Sequence, residues 1–336
     1  MLLASINHEA IAATFILPEN GDNVIGNIKV ISIQNPKTTL LDVARHYDLS
    51  YEEIAQANPD VSIWVPEIGS IVHIPTQFIL PPGPRKGVII NISQRRLFYF
   101  PKAKPHQPAQ VVTYPISIAR EGWHTPLGKT KIVAKHKDPS WFVPKSIKEE
   151  HLDNGELNFP DYFPPGPDNP MGMLAMQTGF TGIYIHGTNM PWGVGLRTSH
   201  GCLHLYPEDA AEIFPAIPVG TPVHIIDEPI LVGKLVNNLY LSSYKPAENS
   251  QIEASAAAKA ATAVFKYTQE NNDDIQYIDW DRMRNAANLQ QNVAISITLW
   301  SPGLEDIIES RQPEPYVFQP YGIDANAAAP PTTPRQ

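Results

Sequence analysis

The sequence predicts a mainly β sandwich over residues 88–228, a small βααβ unit before it at 28–78, and an α+β extension after it at 229–318. Three observations carry this reading. Short apolar runs recur between turn residues from Val88 to Ile226, the spacing of a sandwich or barrel-like domain. The 34 prolines in 336 residues favour extended segments and turns over long helices. Two helix-start signals stand in succession between two alternating runs, all within residues 28–75.

The first 27 residues show little periodicity and read as a lead-in. Ile28–Ile33 alternates like a short strand. Thr39–Tyr47 places Leu40, Val43, Ala44 and Tyr47 at helical spacing, with Thr39 and Asp42 as a start signal. Ser50 and Glu53 repeat that signal for a second short helix, which Asn58-Pro59 ends. Ser70–Pro75 reads as the returning strand. Residues 79–87, with "PPGPRKG", read as a stiff linker. Strand-like runs follow at Val88–Ile92, Arg96–Phe100, Val111–Ile118, Ile183–His186 and Pro222–Ile226. A long Pro-rich insertion between Lys135 and Met176 has the length of a lid or binding loop. In the extension, Gly233–Leu241 reads as a hairpin with an Asn-Asn turn, Ser255–Gln269 as a helix and Ala294–Trp300 as a strand. The last residues, 319–336, read as a disordered tail.

The totals narrow the function classes. A net charge of −9 and the lack of a Lys/Arg-rich block argue against a nucleic-acid partner. No apolar run approaches the roughly 18 residues a membrane span needs. The opening "MLLASINHEAIAATF" lacks a basic n-region and a continuous apolar stretch, so an export signal is not evident in this sequence. A single cysteine, Cys202, cannot form an intramolecular disulfide.

That cysteine lies in "TSHGCLHLYPED", from Thr198 to Asp209. A thiol is a catalyst only as thiolate, so it needs a base and access to solvent. His186, His200 and His204 are the candidate partners. Gly201 permits a tight turn, and "PEDAAEIF" reads as a helix with proline first and acids in its opening turn. Cys202 is therefore expected on a turn just before a helix, where amides can hold an oxyanion. Tyr184 and His186 share one face of their strand. A rival reading groups His200, Cys202, His204 and His186 around zinc, but Gly201 and the helix signal argue against the regular strand this needs.

Two resemblances join these signals. "TLLDVARHYDLSYEEIAQANP" with "PEIGSIVHIP" resembles a LysM module, which binds N-acetylglucosamine-containing glycans; Pro36-Lys37 stands where that family has Gly-Asp. "IHGTNMPWGVGLRTSHGCLHLYP", with "GWHTPLGKTKI" and "PPGPDNPMG" upstream, resembles the YkuD-like catalytic domain of the L,D-transpeptidases, cysteine enzymes of bacterial peptidoglycan. The likeness covers residues 87–228, and Cys202 follows the His186-Gly187 pair at the family's spacing.

The second resemblance implies a role for each matched position. Cys202 would be the nucleophile and His186 the general base, with the Gly187 carbonyl orienting the imidazole. His200 and Gly201 would shape the turn, and the amides of Gly201 and Cys202 would hold the oxyanion. Ser199 and Arg197 would brace the loop. Tyr184, Trp123, Thr188 and His204 are candidate substrate contacts, while Trp141 and Pro164–Pro170 would build the framework. His204 departs from the family, which has Arg or Asn there; a protonated His204 would hold a substrate carboxylate or an acidic neighbour. The implied enzyme is exported to the periplasm or cell envelope and acts on stem peptides and glycan strands. Its acyl acceptor is a second stem peptide or an envelope protein. It is a carbapenem target and needs no metal or cofactor. The alternatives are the same chemistry with water as acceptor, and a non-catalytic wall-binding protein.

Overall fold

The computed structural model describes residues 13–19, 21–247 and 255–318. The segments 1–12 and 319–336, and with them the expected tail, lie outside the described residues. Among the described residues, nine strands form one sheet. Their order is Ala13–Ile16, Gln110–Pro115, Arg96–Phe100, Gly87–Asn91, Pro222–Ile226, Gly128–Lys137, Leu174–Thr178, Tyr184–His186 and Leu203–His204. Neighbours run antiparallel except at two places: Gly87–Asn91 beside Pro222–Ile226, and Tyr184–His186 beside Leu203–His204.

The β-rich expectation holds: the nine strands form one curled sheet whose two halves share a core. Every residue of Gly87–Asn91 and Arg96–Phe100 is buried. Val88, Ile90, Leu97 and Tyr99 face one core, with Met176, Ile185 and Leu203 and with Ala210, Ile213 and Phe214 of the helix Pro207–Ala216. Ile89, Phe98 and Phe100 face a second core, with Leu40, Val43, Ile54 and Val72 of the βααβ unit. A strand buried on both faces reads as a continuous apolar run, as in Gly87–Asn91.

The βααβ unit forms where expected. Strands Lys29–Ile33 and Ile71–Ile74 pair antiparallel around helices Leu40–His46 and Tyr51–Ala57. Both capping boxes close: Thr39 Oγ1 accepts from the Asp42 amide at 3.1 Å, and Ser50 Oγ accepts from the Glu53 amide at 3.2 Å. A strand from far along the chain, Glu314–Tyr316, joins Lys29–Ile33 in parallel and buries Tyr316.

The unit is bolted to the large sheet by buried charge. Arg96, 0% exposed, meets Glu53 at 2.6 Å, and Arg45 grips both carboxylate oxygens of Glu208 at 2.5 and 2.7 Å. The Tyr206 hydroxyl donates to the Leu49 carbonyl at 3.0 Å. Residues 79–87 are accordingly no free spacer: Gln77–Ile79 pairs with Val24–Gly26, and Gly87 already opens a sheet strand. The lead-in carries structure as well, since Ala13–Ile16 is an edge strand of the large sheet.

The insertion holds a small hairpin, Trp141–Phe142 with Tyr162–Phe163, and between them the helix Lys145–Asp153. In the extension, strands Ile230–Leu235 and Asn238–Ser243 pair, with Ile295–Ser296 beside them. The turn is Val236-Asn237, one residue earlier than expected, with Val236 at φ 57°. Helix Ala256–Asn271 starts at its Ser255 cap, and a second helix, Trp280–Leu289, packs on the same core. Among the described residues, no helix is long and apolar enough to cross a membrane.

Candidate active site

The parallel pair at the end of the sheet assembles the site. Ile185 lies opposite Leu203 and His186 opposite His204. Ile185 and Leu203 are both in the core, so Tyr184, His186 and His204 lie on the other face, and Cys202 directly precedes Leu203. Two segments distant in sequence thus meet, with an imidazole on one strand and a thiol at the entry to the strand beside it. The His186 and His204 rings are 4.6 Å apart between centroids.

His186 is buried, and its Nδ1 lies 2.6 Å from the Gly187 carbonyl oxygen. A carbonyl only accepts, so Nδ1 carries the proton and Nε2 is the nitrogen that can take another. Burial pushes the His186 pKa down to about 4, against the opposing pull of the Gly187 and Met171 carbonyls. Gly187 is fixed from behind by the "NPMG" turn. A Cβ at Gly172, which has φ 61°, would lie 3.0 Å from the Thr188 amide nitrogen and 3.1 Å from the Gly187 carbonyl carbon. Buried Asn169 holds that turn, donating to the Pro139 carbonyl at 2.7 Å and accepting from the Met171 amide at 2.9 Å.

Cys202 is half-buried, and its thiol donates to the Gly182 carbonyl at 3.5 Å. Burial pushes the thiol pKa up to about 11, although the Tyr184 backbone amide works the other way. The turn before it is held by Ser199, whose Oγ donates to the Cys202 carbonyl at 2.5 Å and accepts from the Gly201 amide at 3.1 Å. Gly201 sits at φ 117°, and a Cβ there would lie 2.9 Å from the His124 carbonyl oxygen. Thr125 Oγ1 donates to the Gly201 carbonyl at 3.0 Å.

A model of the L,D-transpeptidase catalytic domain (YkuD) matches residues 85–225. The Escherichia coli K12 protein named "Probable L,D-transpeptidase YbiS" is 39% identical over 224 residues, covering 66% of this chain and 71% of that protein. The Salmonella typhimurium protein named "Probable L,D-transpeptidase ErfK/SrfK" is 30% identical over 306 residues, 89% of this chain and 96% of that one. The chain belongs to the L,D-transpeptidase family.

Within this L,D-transpeptidase, several expected residues stand in other company than the sequence suggests. The Gly201 amide, expected in an oxyanion hole, already serves Ser199; the Cys202 amide is the remaining candidate of the two. His200 faces the insertion: its Nε2 is 3.0 Å from Glu150 Oε2, it touches the Arg120 guanidinium, and Trp123 packs edge-on against it at 4.6 Å. His200 and Trp123 therefore brace the turn from its far side. His204 does not fit the expected role of a charged substrate clamp. Burial, His186 and His200 together hold its pKa well below the usual value, so it is neutral where a clamp would need charge. Arg197 Nε donates to the Ala119 carbonyl at 3.2 Å, as a brace of its strand. The Thr188 hydroxyl is buried and accepts from the Met190 amide at 3.0 Å. Tyr184 lies beside Cys202 with its ring 6.4 Å from that of His136. Among the described residues, no cluster of His, Cys, Asp and Glu could hold a metal ion.

Sequence reasoning missed Glu150 and Arg120. Neither sits in a motif, and Glu150 lies in a helix whose charged face looks like ordinary solvent exposure.

Proposed function

We propose that this L,D-transpeptidase works through a thioester on Cys202. The observation that carries the reading is that the His186 strand pairs with the strand Cys202 leads into, with the His186 tautomer set by Gly187. His186 Nε2 takes the thiol proton as sulfur attacks the carbonyl of the L-centred residue in a stem peptide. The carbon–nitrogen bond to the D-residue breaks, and the departing amine takes the proton from His186. The thioester then waits for a second amine. That amine attacks, gives its proton to His186, forms the new amide and releases the thiolate, which is reprotonated.

Peptidoglycan stem peptides are the donors on this reading, and a second stem peptide or a protein lysine is the acceptor. The βααβ unit acts as a LysM-type glycan binder that holds the enzyme on its polymer, and the working place is the periplasm or cell envelope. The test is product analysis by mass spectrometry, with purified muropeptides alone and then with an added lysine-bearing protein. New cross-linked dimers or peptide–protein adducts that vanish in Cys202→Ala support the reading. Equal products from Cys202→Ala would overturn it. Release of the D-residue without any linked product would instead assign water as the acceptor.

A further inference from the structure

We infer that Glu150, supplied by the insertion helix Lys145–Asp153, is a positioning residue for the nucleophile's turn and acts through His200 and Arg120. The inference rests on Cys202 being the nucleophile. His200 is two residues from Cys202 and directly precedes Gly201, whose φ of 117° suits glycine, and the turn draws support from outside its own residues. The support comes from 50 residues away: Glu150 Oε2 stands 3.0 Å from His200 Nε2. The Arg120 guanidinium touches both Glu150 and His200, and the Arg120 backbone amide donates to the Ser199 carbonyl at 2.9 Å. Trp123 closes the edge of the His200 ring.

The three groups form a latch that holds in either protonation state of His200. Protonated, Nε2 donates to Glu150; neutral, it accepts from Arg120. Burial raises the Glu150 carboxyl, but Arg120 and His200 outweigh it and keep Glu150 ionised below its ordinary range. All three side chains are only partly exposed, so the pairing is less screened than a surface ion pair. The insertion thereby becomes part of the machinery: a substrate that moves the helix Lys145–Asp153 also moves the turn that carries Cys202.

The experiment measures kcat and KM for stem-peptide transfer and the rate of Cys202 alkylation by iodoacetamide. It compares the full-length protein with Glu150→Ala, Glu150→Gln, His200→Ala and the double variant Glu150→Ala/His200→Ala. A misplaced nucleophile costs on the order of 10- to 100-fold in kcat with KM little changed. Glu150→Ala is expected to show that loss, and Glu150→Gln, which keeps an acceptor for Arg120 and His200, is expected to recover most of it. In the double variant the two losses are expected not to add, because both break the same latch. Unchanged kcat and alkylation in Glu150→Ala would overturn the inference, as would fully additive losses. A Cys202→Ala control separates the two claims: turnover in that variant would overturn the nucleophile itself, whereas a dead control beside a silent Glu150→Ala would overturn only the latch.

Discussion

Burial pushes the Cys202 thiol up to about 11 and the His186 imidazole down to about 4, so burial favours the neutral form of each. On the proposed mechanism His186 then acts as a general base as the substrate arrives, without a thiolate–imidazolium pair formed beforehand. Alkylation of Cys202 should therefore climb steadily from about pH 6 to about pH 10, as expected of a thiol with a raised pKa. A rate already flat above about pH 5 would show a preformed ion pair instead. His204 is held neutral beside His186, so His204→Asn exchanges one uncharged group for another. Normalised transfer profiles of the two proteins should superimpose between about pH 6 and about pH 8, the range in which an ordinary histidine titrates. Loss of an acid limb in the variant would mean that His204 does carry charge. Cys202 and His186, the two residues proposed to react, stand out in the sequence because they match the family's spacing and adjoin a glycine turn. The protonation of His204 does not, since it depends on burial and on two neighbouring imidazoles that only the fold brings close.

The turn Ser199–Cys202 and the short parallel pair after it are the elements that aim the sulfur. Gly201→Ala should strain the turn by about 1–3 kcal/mol, because its Cβ would meet the His124 carbonyl and its φ suits glycine. Thermal unfolding should show a lower Tm, and kcat should fall with it; an unchanged Tm with full activity would mean the turn relaxes freely. Capping boxes and the glycine turn could be read from the sequence, as their signals are local. The Glu150 latch and the Glu314–Tyr316 strand could not, because each joins segments whose partners lie far along the chain. The hairpin turn at Val236-Asn237 shows the same limit on a small scale, with strand register outweighing the asparagine preference.

At the scale of the molecule, the βααβ unit and the large sheet share one core and one set of buried ion pairs. A proline-rich stretch reads as a linker. Arg96 speaks against a free linker, since it is buried against Glu53 and the Asp48 carbonyl of the preceding unit. Glu53→Gln should cost roughly 3–5 kcal/mol by leaving that guanidinium without its counter-charge. Calorimetry of the intact protein should show these two parts unfolding in one transition, and a stable separate transition for residues 85–228 would contradict the shared core. The most direct test of the account is the mass of the whole chain after incubation with a donor stem tetrapeptide and no acceptor amine. The account predicts a covalent adduct that adds the donor's mass less that of the free D-amino acid released, mapped to Cys202, lost on adding an acceptor and missing from Cys202→Ala. An adduct that persists in Cys202→Ala, or one mapped to any other residue, would contradict it.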